Sequence, residues 1–137
     1  MQFTAGNGIG RYLNDSTNAA LATNYQATLT SQAMANSIIF KPIPAFGGQL
    51  GYQHWWLPNL RSNLIYGYAY YDVPSQLIGA SQSVNQNQRL QTAHLNLIWS
   101  PVAFIDAGVE YMWGQRYTVA KLYGNEQALI SKFRVKF

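Results

Sequence analysis

The sequence alternates apolar and polar side chains over long stretches, and this alternation restricts the chain to β-strands. In residues 105–114 the odd positions are Ile, Ala, Val, Tyr and Trp, whereas the even positions are Asp, Gly, Glu, Met and Gly. Successive side chains of a strand point to opposite faces, so every second residue lies on one face. The pattern therefore predicts a sheet with one apolar face and one polar face.

The same period of two divides the chain into about six strands. Short turns at Pro58 and Pro101 follow the second and the fourth, because proline presets a turn dihedral. Closely spaced glycines at positions 6, 8 and 10 predict a bend in the first strand. Residues 14–46 are rich in Asn, Thr, Ser and Ala and are interpreted as a long loop, with short structured pieces near residues 25–29 and 38–40. The predicted strands cover residues 2–12, 48–56, 61–72, 88–99, 105–116 and 126–137.

The composition is that expected of a wall between lipid and water. Charged residues make up 10% of the chain, against about 25% in ordinary soluble domains. The mean hydropathy is nevertheless slightly negative, at −0.14, because Tyr, Asn, Gln, Ser, Thr and Gly replace the missing charges. Strands with half of their positions facing lipid and half facing water have this balance. No run of about 18 apolar residues is present, which excludes a transmembrane helix.

Metal, cofactor, catalytic and nucleic-acid sites find little support in the sequence. The chain contains no cysteine, which rules out thiolate metal sites. His54 and His94 lie on different predicted strands without a partner cluster, so no metal ligand and no cofactor is predicted. A Ser-His-Asp site using His94 and Asp106 has no spacing rule to support it, and the chain is expected not to be an enzyme. Its net charge of +4 comes from scattered Lys and Arg, which argues against nucleic-acid binding.

The connections between the predicted strands alternate in length. From the N-terminus they are long, short, long, short and medium, as in transmembrane barrels with short periplasmic turns and longer outer loops. Aromatic side chains near the strand ends predict two girdles at the membrane interfaces. The predicted girdle residues are Trp55, Trp56, Tyr70, Trp99, Trp113 and Phe137.

The polar face of the predicted strands is interpreted as the wall of an aqueous bore. A Lys or Arg on the lipid face near the midplane costs about 2–4 kcal/mol, so the charged residues determine which face is wet. An excess of positive charge predicts a mild preference for anions; the alternative is that these charges only solvate the wall or pair across strands. The predicted pore-lining residues are Arg61, Asn63, Arg89, His94, Asp106, Glu110, Arg116, Lys132, Arg134 and Lys136.

The last residues alternate charged and apolar side chains and end on an aromatic. Lys132, Arg134 and Lys136 occupy one face of this strand, and the apolar residues between them occupy the other. The ending resembles the closing strand of bacterial outer-membrane β-barrels. The resemblance implies that Phe133, Val135 and Phe137 form the signal read by the barrel-assembly machinery.

Segments along nearly the whole chain resemble the C-terminal part of DcaP-like porins, trimeric outer-membrane channels of Gram-negative bacteria. They are GNGIGRYLND at residues 6–15, GGQLGYQHWW at 47–56, LRS at 60–62, NLIWSP at 96–101, GVEY at 108–111 and the terminal Phe137. The resemblance implies passive diffusion of small anionic solutes such as dicarboxylates. It also implies a place in the bacterial outer membrane, contact with its lipid and lipopolysaccharide, and a homotrimer in the full-length parent.

The predicted fold class is all-β, namely an antiparallel transmembrane β-barrel segment of about six C-terminal strands. Members of the resembled family are longer, with sixteen strands, and six strands do not close around a channel. Met1 begins no signal peptide, so the chain is interpreted as a fragment that does not conduct alone. The long loop 14–46 either narrows the pore or lies at the surface. The alternatives are a complete eight-stranded outer-membrane barrel with an adhesion or structural role and a soluble β-sandwich that binds carbohydrate.

Overall fold

The computed structural model describes residues 1–9, 13, 21–23, 40–73 and 86–136. Within this part of the chain all regular structure is β-strand. The strands are β1 (Gln2–Asn7), β2 (Leu21–Thr23), β3 (Phe40–Pro42), β4 (Pro44–Leu57), β5 (Leu60–Tyr71), β6 (Asn87–Val102), β7 (Ile105–Thr118) and β8 (Tyr123–Val135).

Strands β1, β4, β5, β6, β7 and β8 form one antiparallel sheet in that order, called the main sheet below. From β4 onward each strand pairs with the next one in sequence, so the sheet is a simple meander. Within the described ranges, strands β2 and β3 form a separate two-stranded sheet. Among the described residues β1 and β8 each lack a partner on their outer side, so the main sheet is open. The predicted fold class, an antiparallel all-β barrel segment, is confirmed.

Two tight turns lie at the same end of the main sheet, called the short-turn end. Pro58 and Asn59 join β4 to β5, and Ala103 and Phe104 join β6 to β7. The opposite end, called the loop end, carries the connections 8–43, 72–86 and 119–122. The last of these is tighter than the predicted loop 117–125. In it the Lys121 N–H donates to the Thr118 carbonyl at 3.0 Å. At this end β7 and β8 both extend further than predicted, whereas β8 stops at Val135.

The first predicted strand and the long loop both end earlier in the structure than in the sequence prediction. Strand β1 stops at Asn7, because Gly8 adopts a φ of 70°, a left-handed conformation that glycine tolerates. Strand β4 starts at Pro44, which pairs with Asn7 of β1. Two residues further on, Phe46 pairs with both Ala5 and Tyr70. Proline is acceptable at the first position of a strand, so the loop assignment for 44–46 is wrong. Predicted features at residues 10–12, 25–29 and 38–39 lie outside the described residues.

A small apolar cluster packs on the sheet at the loop end. Its buried members come from β4, β5 and the adjoining segments, and they are Leu13, Ile43, Ala45, Ala69, Tyr71 and Val73. A Cβ added to Gly47 would stand 2.8 Å from Leu13 Cδ2, so Leu13 rests where a glycine leaves space. The rest of the main sheet has no such core in the described ranges. No described helix has the length and apolar character needed to cross a membrane.

Candidate functional site

The register of the main sheet assigns every strand residue to one of two faces. Directly opposed residues of neighbouring antiparallel strands project to the same side. One row of opposed residues runs from Arg61 through Ile98 and Gly108 to Lys132. The side that carries this row is called the polar face. The side that carries Leu95, directly opposite both Leu64 and Tyr111, is called the apolar face.

The apolar face exposes large hydrophobic side chains along its whole length. Leu129 is 78% exposed and Phe133 is 66% exposed, although both belong to a regular strand. From Ile105 to Trp113 the stripe runs about 26 Å at about 3.3 Å per residue, and a tilt of about 40° reduces its height to about 20 Å. Transmembrane barrels carry a comparable apolar band of about 25 Å. The exposed apolar residues on this face include Phe3, Phe46, Leu50, Tyr52, Trp56, Leu64, Tyr66, Leu95, Leu97, Trp99, Val109, Tyr111, Tyr123, Leu129, Phe133 and Val135.

The polar face carries a charge cluster at the short-turn end. Asp106 Oδ1 accepts a hydrogen bond from Ser100 Oγ at 2.6 Å, and Ser100 Oγ accepts one from Arg61 Nη1 at 3.1 Å. The Lys136 ammonium lies 2.9 Å from Asp106 Oδ2, and Arg61 Nη2 lies 4.0 Å from Asp106 Oδ1. The side chain of Asp106 is 13% exposed. This carboxylate therefore joins a cation of β5 to a cation of the segment that follows β8.

Two further cations lie beside this cluster on the same face. Arg134 is directly opposite Asp106, and Lys132 is opposite Gly108, which belongs to the row of Arg61. Together with Arg61 and Lys136 they place four cations around one carboxylate at this end of the described sheet. The short-turn end of the polar face is therefore strongly basic.

The centre of the polar face is hydrogen-bonded and carries one carboxylate, Glu110. Asn63 Nδ2 donates to Asn96 Oδ1 at 2.7 Å across β5 and β6. His94 Nδ1 lies 2.9 Å from Glu110 Oε1 across β6 and β7. Apolar residues such as Ile65 and Met112 lie opposite His94, so the face is not uniformly polar.

The loop end of the polar face carries one cation and one carboxylate. Arg116 Nε donates to Asn87 Oδ1, and Glu126 lies opposite Gly114. The positive charge of the polar face is thus concentrated at one end and not spread evenly. Among the described residues no group of His, Cys, Asp and Glu could hold a metal ion.

Arg89 is a correction to the predicted pore-lining set. It lies opposite Tyr70 and Tyr117 on the apolar face, and its guanidinium stands 5.2 Å from the centroid of the Tyr117 ring. The position has the same parity as Leu95, so strict alternation alone assigns it to this side. The other predicted pore-lining residues of the strands lie on the polar face, as does Lys136 through its bond to Asp106.

Trp55 is a correction to the predicted girdle. It lies opposite Arg61 on the polar face, where the Arg61 guanidinium stands 5.2 Å from its ring centroid. A lipid-facing girdle residue cannot occupy that side. Trp56, whose Nε1 donates to Ser62 Oγ at 3.0 Å, is on the apolar side. Tyr70, Trp99 and Trp113 also lie there, whereas Phe137 lies outside the described residues.

Three residues that contact or neighbour the predicted pore-lining side chains are not in the predicted set. Ser100 bridges Arg61 and Asp106, but Pro101 predicts a turn at that position, whereas β6 continues to Val102. Asn96 partners Asn63, and Glu126 shares the parity of Lys132. The last two follow from alternation once the register is known.

Comparison with known proteins identifies what this sheet is similar to. The family model described as DcaP outer membrane protein matches residues 12–135. The crystal structure of the outer membrane channel DcaP of Acinetobacter baumannii aligns with a TM-score of 0.65 and 30% sequence identity. The alignment covers 72% of this chain and 28% of that channel, so the chain spans little more than a quarter of the channel's length. Among curated proteins, no sequence matches the chain.

Proposed function

Because the chain belongs to the DcaP outer membrane protein family, we propose that its main sheet forms part of the wall of a channel for passive diffusion of small anionic solutes. The polar face lines the aqueous bore, and the apolar face contacts lipid. This arrangement accounts for exposed side chains such as Leu129 on one side and for the charge cluster around Asp106 on the other. It also accounts for the Asn63–Asn96 and His94–Glu110 contacts across strands on the polar face.

The proposal that the solutes are anions rests on the basic short-turn end of the polar face. Four cations surround one carboxylate there, and a narrow tube with low-dielectric walls concentrates their field. Such a field lowers the barrier to anions and raises it for cations. The centre, with Asn63 and the His94–Glu110 pair, contributes one carboxylate, so the excess of cations belongs to the short-turn end.

Dicarboxylates are the proposed solute class. A solute with two carboxylates can pair with two cations of the wall at once, for example Lys132 and Arg134, which are two residues apart on the polar face of β8, whereas a monocarboxylate pairs with one. Charge-assisted hydrogen bonds to carboxylate are the strong ones, and arginine can make two of them in parallel. The cluster therefore favours solutes with more than one negative group.

Further strands are needed to close the wall. In hydrocarbon an unpaired backbone group costs several kcal/mol, so a membrane sheet must have no free edge. The outer edges of β1 and β8 have no partner in the described part of the chain. The proposal is that conduction requires both edges to be paired, within a longer polypeptide or by other copies.

Assembly as a homotrimer and insertion by the barrel-assembly machinery also belong to the proposal. The support is the family resemblance together with strand β8, in which Phe133 and Val135 occupy the apolar face while Lys132 and Arg134 occupy the polar face. Phe133, Val135 and Phe137 are proposed as the assembly signal. Truncation of that final segment is expected to reduce insertion.

The alternative folds find less support. A soluble β-sandwich packs a second sheet on its apolar face, whereas no described residue of the chain forms such a layer. A complete eight-stranded barrel requires β2 and β3 to span the membrane, which takes about 9–11 residues. Each has three residues, and they form a separate sheet.

The proposed selectivity is tested by reversal potentials in planar bilayers, using the protein extracted in detergent from outer membranes. A salt gradient is expected to give an anion preference that falls in Lys132→Gln/Arg134→Gln. Lys121→Gln, which removes a cation from the connection between β7 and β8, is the matched control. Greater permeability to succinate than to acetate is expected as well. Cation selectivity in the unchanged protein would contradict the proposal.

A further inference from the structure

Arg89 is the charged residue that does not fit the division between the two faces. Within the described main sheet, every other Asp, Glu, Lys or Arg of the strands lies on the polar face. Arg89 lies on the apolar face, in a row that contains Phe46, Tyr70, Tyr117 and Tyr123. A cation surrounded by aromatic residues on the lipid side needs its own explanation.

The depth of Arg89 follows from its place in the sheet. It lies near the start of β6 at the loop end, beyond the exposed apolar stripe. An arginine on the lipid face costs about 2–4 kcal/mol at the midplane but only about 0–1 kcal/mol near the interface. Long connections mark the outer side of such proteins. Arg89 is therefore placed at the level of the outer headgroups.

A line of polar side chains independently marks the edge of the hydrocarbon region. Tyr66 Oη donates to Gln91 Oε1 at 2.9 Å, and Gln91 Nε2 lies 3.5 Å from Gln115 Oε1. Gln115 Nε2 donates in turn to Asn125 Oδ1 at 3.1 Å. These amides lie on the apolar face between the apolar stripe and the row of Arg89. Their position matches the boundary where hydrocarbon gives way to headgroups.

The Arg89 guanidinium is held in position but has no acidic partner among the described residues. It stands over the ring of Tyr117, and its Nε is buried without a hydrogen-bond partner among the described atoms. The chain has five carboxylate side chains, and none of the four described ones forms an ion pair with Arg89. Those four are Asp106, Glu110 and Glu126 on the polar face and Asp72 after β5.

We propose that Arg89, with Tyr70 and Tyr117 beside it, binds the phosphate of a phosphorylated glycolipid in the outer leaflet. A guanidinium can donate two parallel hydrogen bonds to a phosphate, and flanking tyrosines suit the interface between hydrocarbon and headgroups. The inference rests on the proposed contact of the apolar face with lipid and not on the solute. A second copy of this face is a poorer occupant, because the described strands offer no carboxylate on it.

The test is binding of bis-phosphorylated lipid A to the full chain folded in detergent, compared with the same lipid without phosphates. The unchanged chain is expected to retain the phosphorylated lipid about tenfold more tightly. Arg89→Gln keeps the aliphatic stem on Tyr117 and is expected to abolish that preference. Arg89→Lys keeps the charge and is expected to retain most of it. Arg116→Ala removes a guanidinium of the same end from the polar face and is the matched control.

Three results would overturn the proposal. Equal binding of the two lipids by the unchanged chain would do so even if no Arg89 variant folds. Displacement of the lipid by inorganic phosphate, beyond the effect of chloride at equal ionic strength, would assign the site to free anions. Loss of self-association in Arg89→Gln with unchanged lipid binding would assign the face to contacts between copies. The proposed anion selectivity is tested separately, by reversal potentials. A failure of lipid binding therefore does not count against the proposed selectivity, nor the reverse.

Discussion

Asp106 Oδ2 lies 2.9 Å from Lys136 Nζ, and the opposite oxygen of the same carboxylate accepts the Ser100 hydroxyl. One acidic side chain thus joins the beginning of β7 to the segment after β8 and, through Ser100, to Arg61 on β5. In the described part of the chain it is the counter-charge for the basic end of the polar face. Removing its charge isolates the electrostatic contribution of that end.

Asp106→Asn is expected to increase anion selectivity. The amide oxygen can still accept the Ser100 hydroxyl, so the change removes charge with little change in shape. The anion-to-cation permeability ratio is expected to rise about twofold, because the four cations lose their counter-ion. Reversal potentials in planar bilayers measure it, with Asp72→Asn at the loop end as the control. An unchanged or lower ratio would show that Asp106 does not face the permeation path.

A charge introduced on the apolar face should be costly, and the same charge on the neighbouring residue should not. Tyr111→Lys places an ammonium in the middle of the apolar stripe and is expected to destabilise the membrane-inserted form by about 2–4 kcal/mol. Met112→Lys, one residue further on the polar face, is expected to change stability by about 0.5 kcal/mol or less. Urea unfolding from lipid vesicles measures both. Equal losses in the two variants would refute the assignment of faces.

Gly47 is expected to tolerate no larger side chain. An added Cβ would stand 2.8 Å from Leu13 Cδ2 and 2.8 Å from the Tyr68 carbonyl oxygen. The carbonyl belongs to a paired strand and cannot easily move, so Gly47→Ala should cost about 1–3 kcal/mol. At Gly124 an added Cβ meets nothing within 4 Å, which makes Gly124→Ala the control. Similar unfolding midpoints for both variants would contradict the packing of Leu13 on this glycine.

Single labels at adjacent positions should report opposite environments. Because the chain has no cysteine, Val109→Cys and Glu110→Cys each provide a unique attachment point for a spin label. In lipid, the label at 109 is expected to relax with dissolved oxygen and the label at 110 with a water-soluble nickel complex. Their accessibilities are measured by electron paramagnetic resonance. A nickel response at 109 together with an oxygen response at 110 would reverse the two faces.

Alternation was sufficient to predict the faces of β7 and β8 in advance. Their charged residues share one parity, and a shift by one residue would move all of them to the other side. The same rule assigns Arg89 to the apolar face, but its charge suggested the pore. The aromatic character of Trp55 suggested a girdle, whereas its parity placed it beside Arg61. In both cases the period of two was more informative than the residue type. The family resemblance predicted from the sequence segments is confirmed.

Features that depend on distant contacts could not be predicted from local pattern. The prolines at 42 and 44 suggest a loop, but Ala5 opposite Phe46 extends β4 across that region. Pro101 likewise suggests a turn where β6 in fact continues to Val102, so the hydrogen bonds of Ser100 could not be predicted. Leu13 packs on Gly47, which is far from it in the sequence, and no local periodicity predicts a contact of this kind. Register therefore had to come from the structure.

The connection 119–122 has a practical consequence for engineering. It is the tightest link at the loop end, Lys121 in it adopts a φ of 64°, and its neighbours on both sides are long paired strands. A peptide epitope inserted there would extend away from both the charge cluster and the apolar stripe. With the loop end on the outer side, as proposed above, the hairpin of β7 and β8 would be a suitable site for surface display on living bacteria.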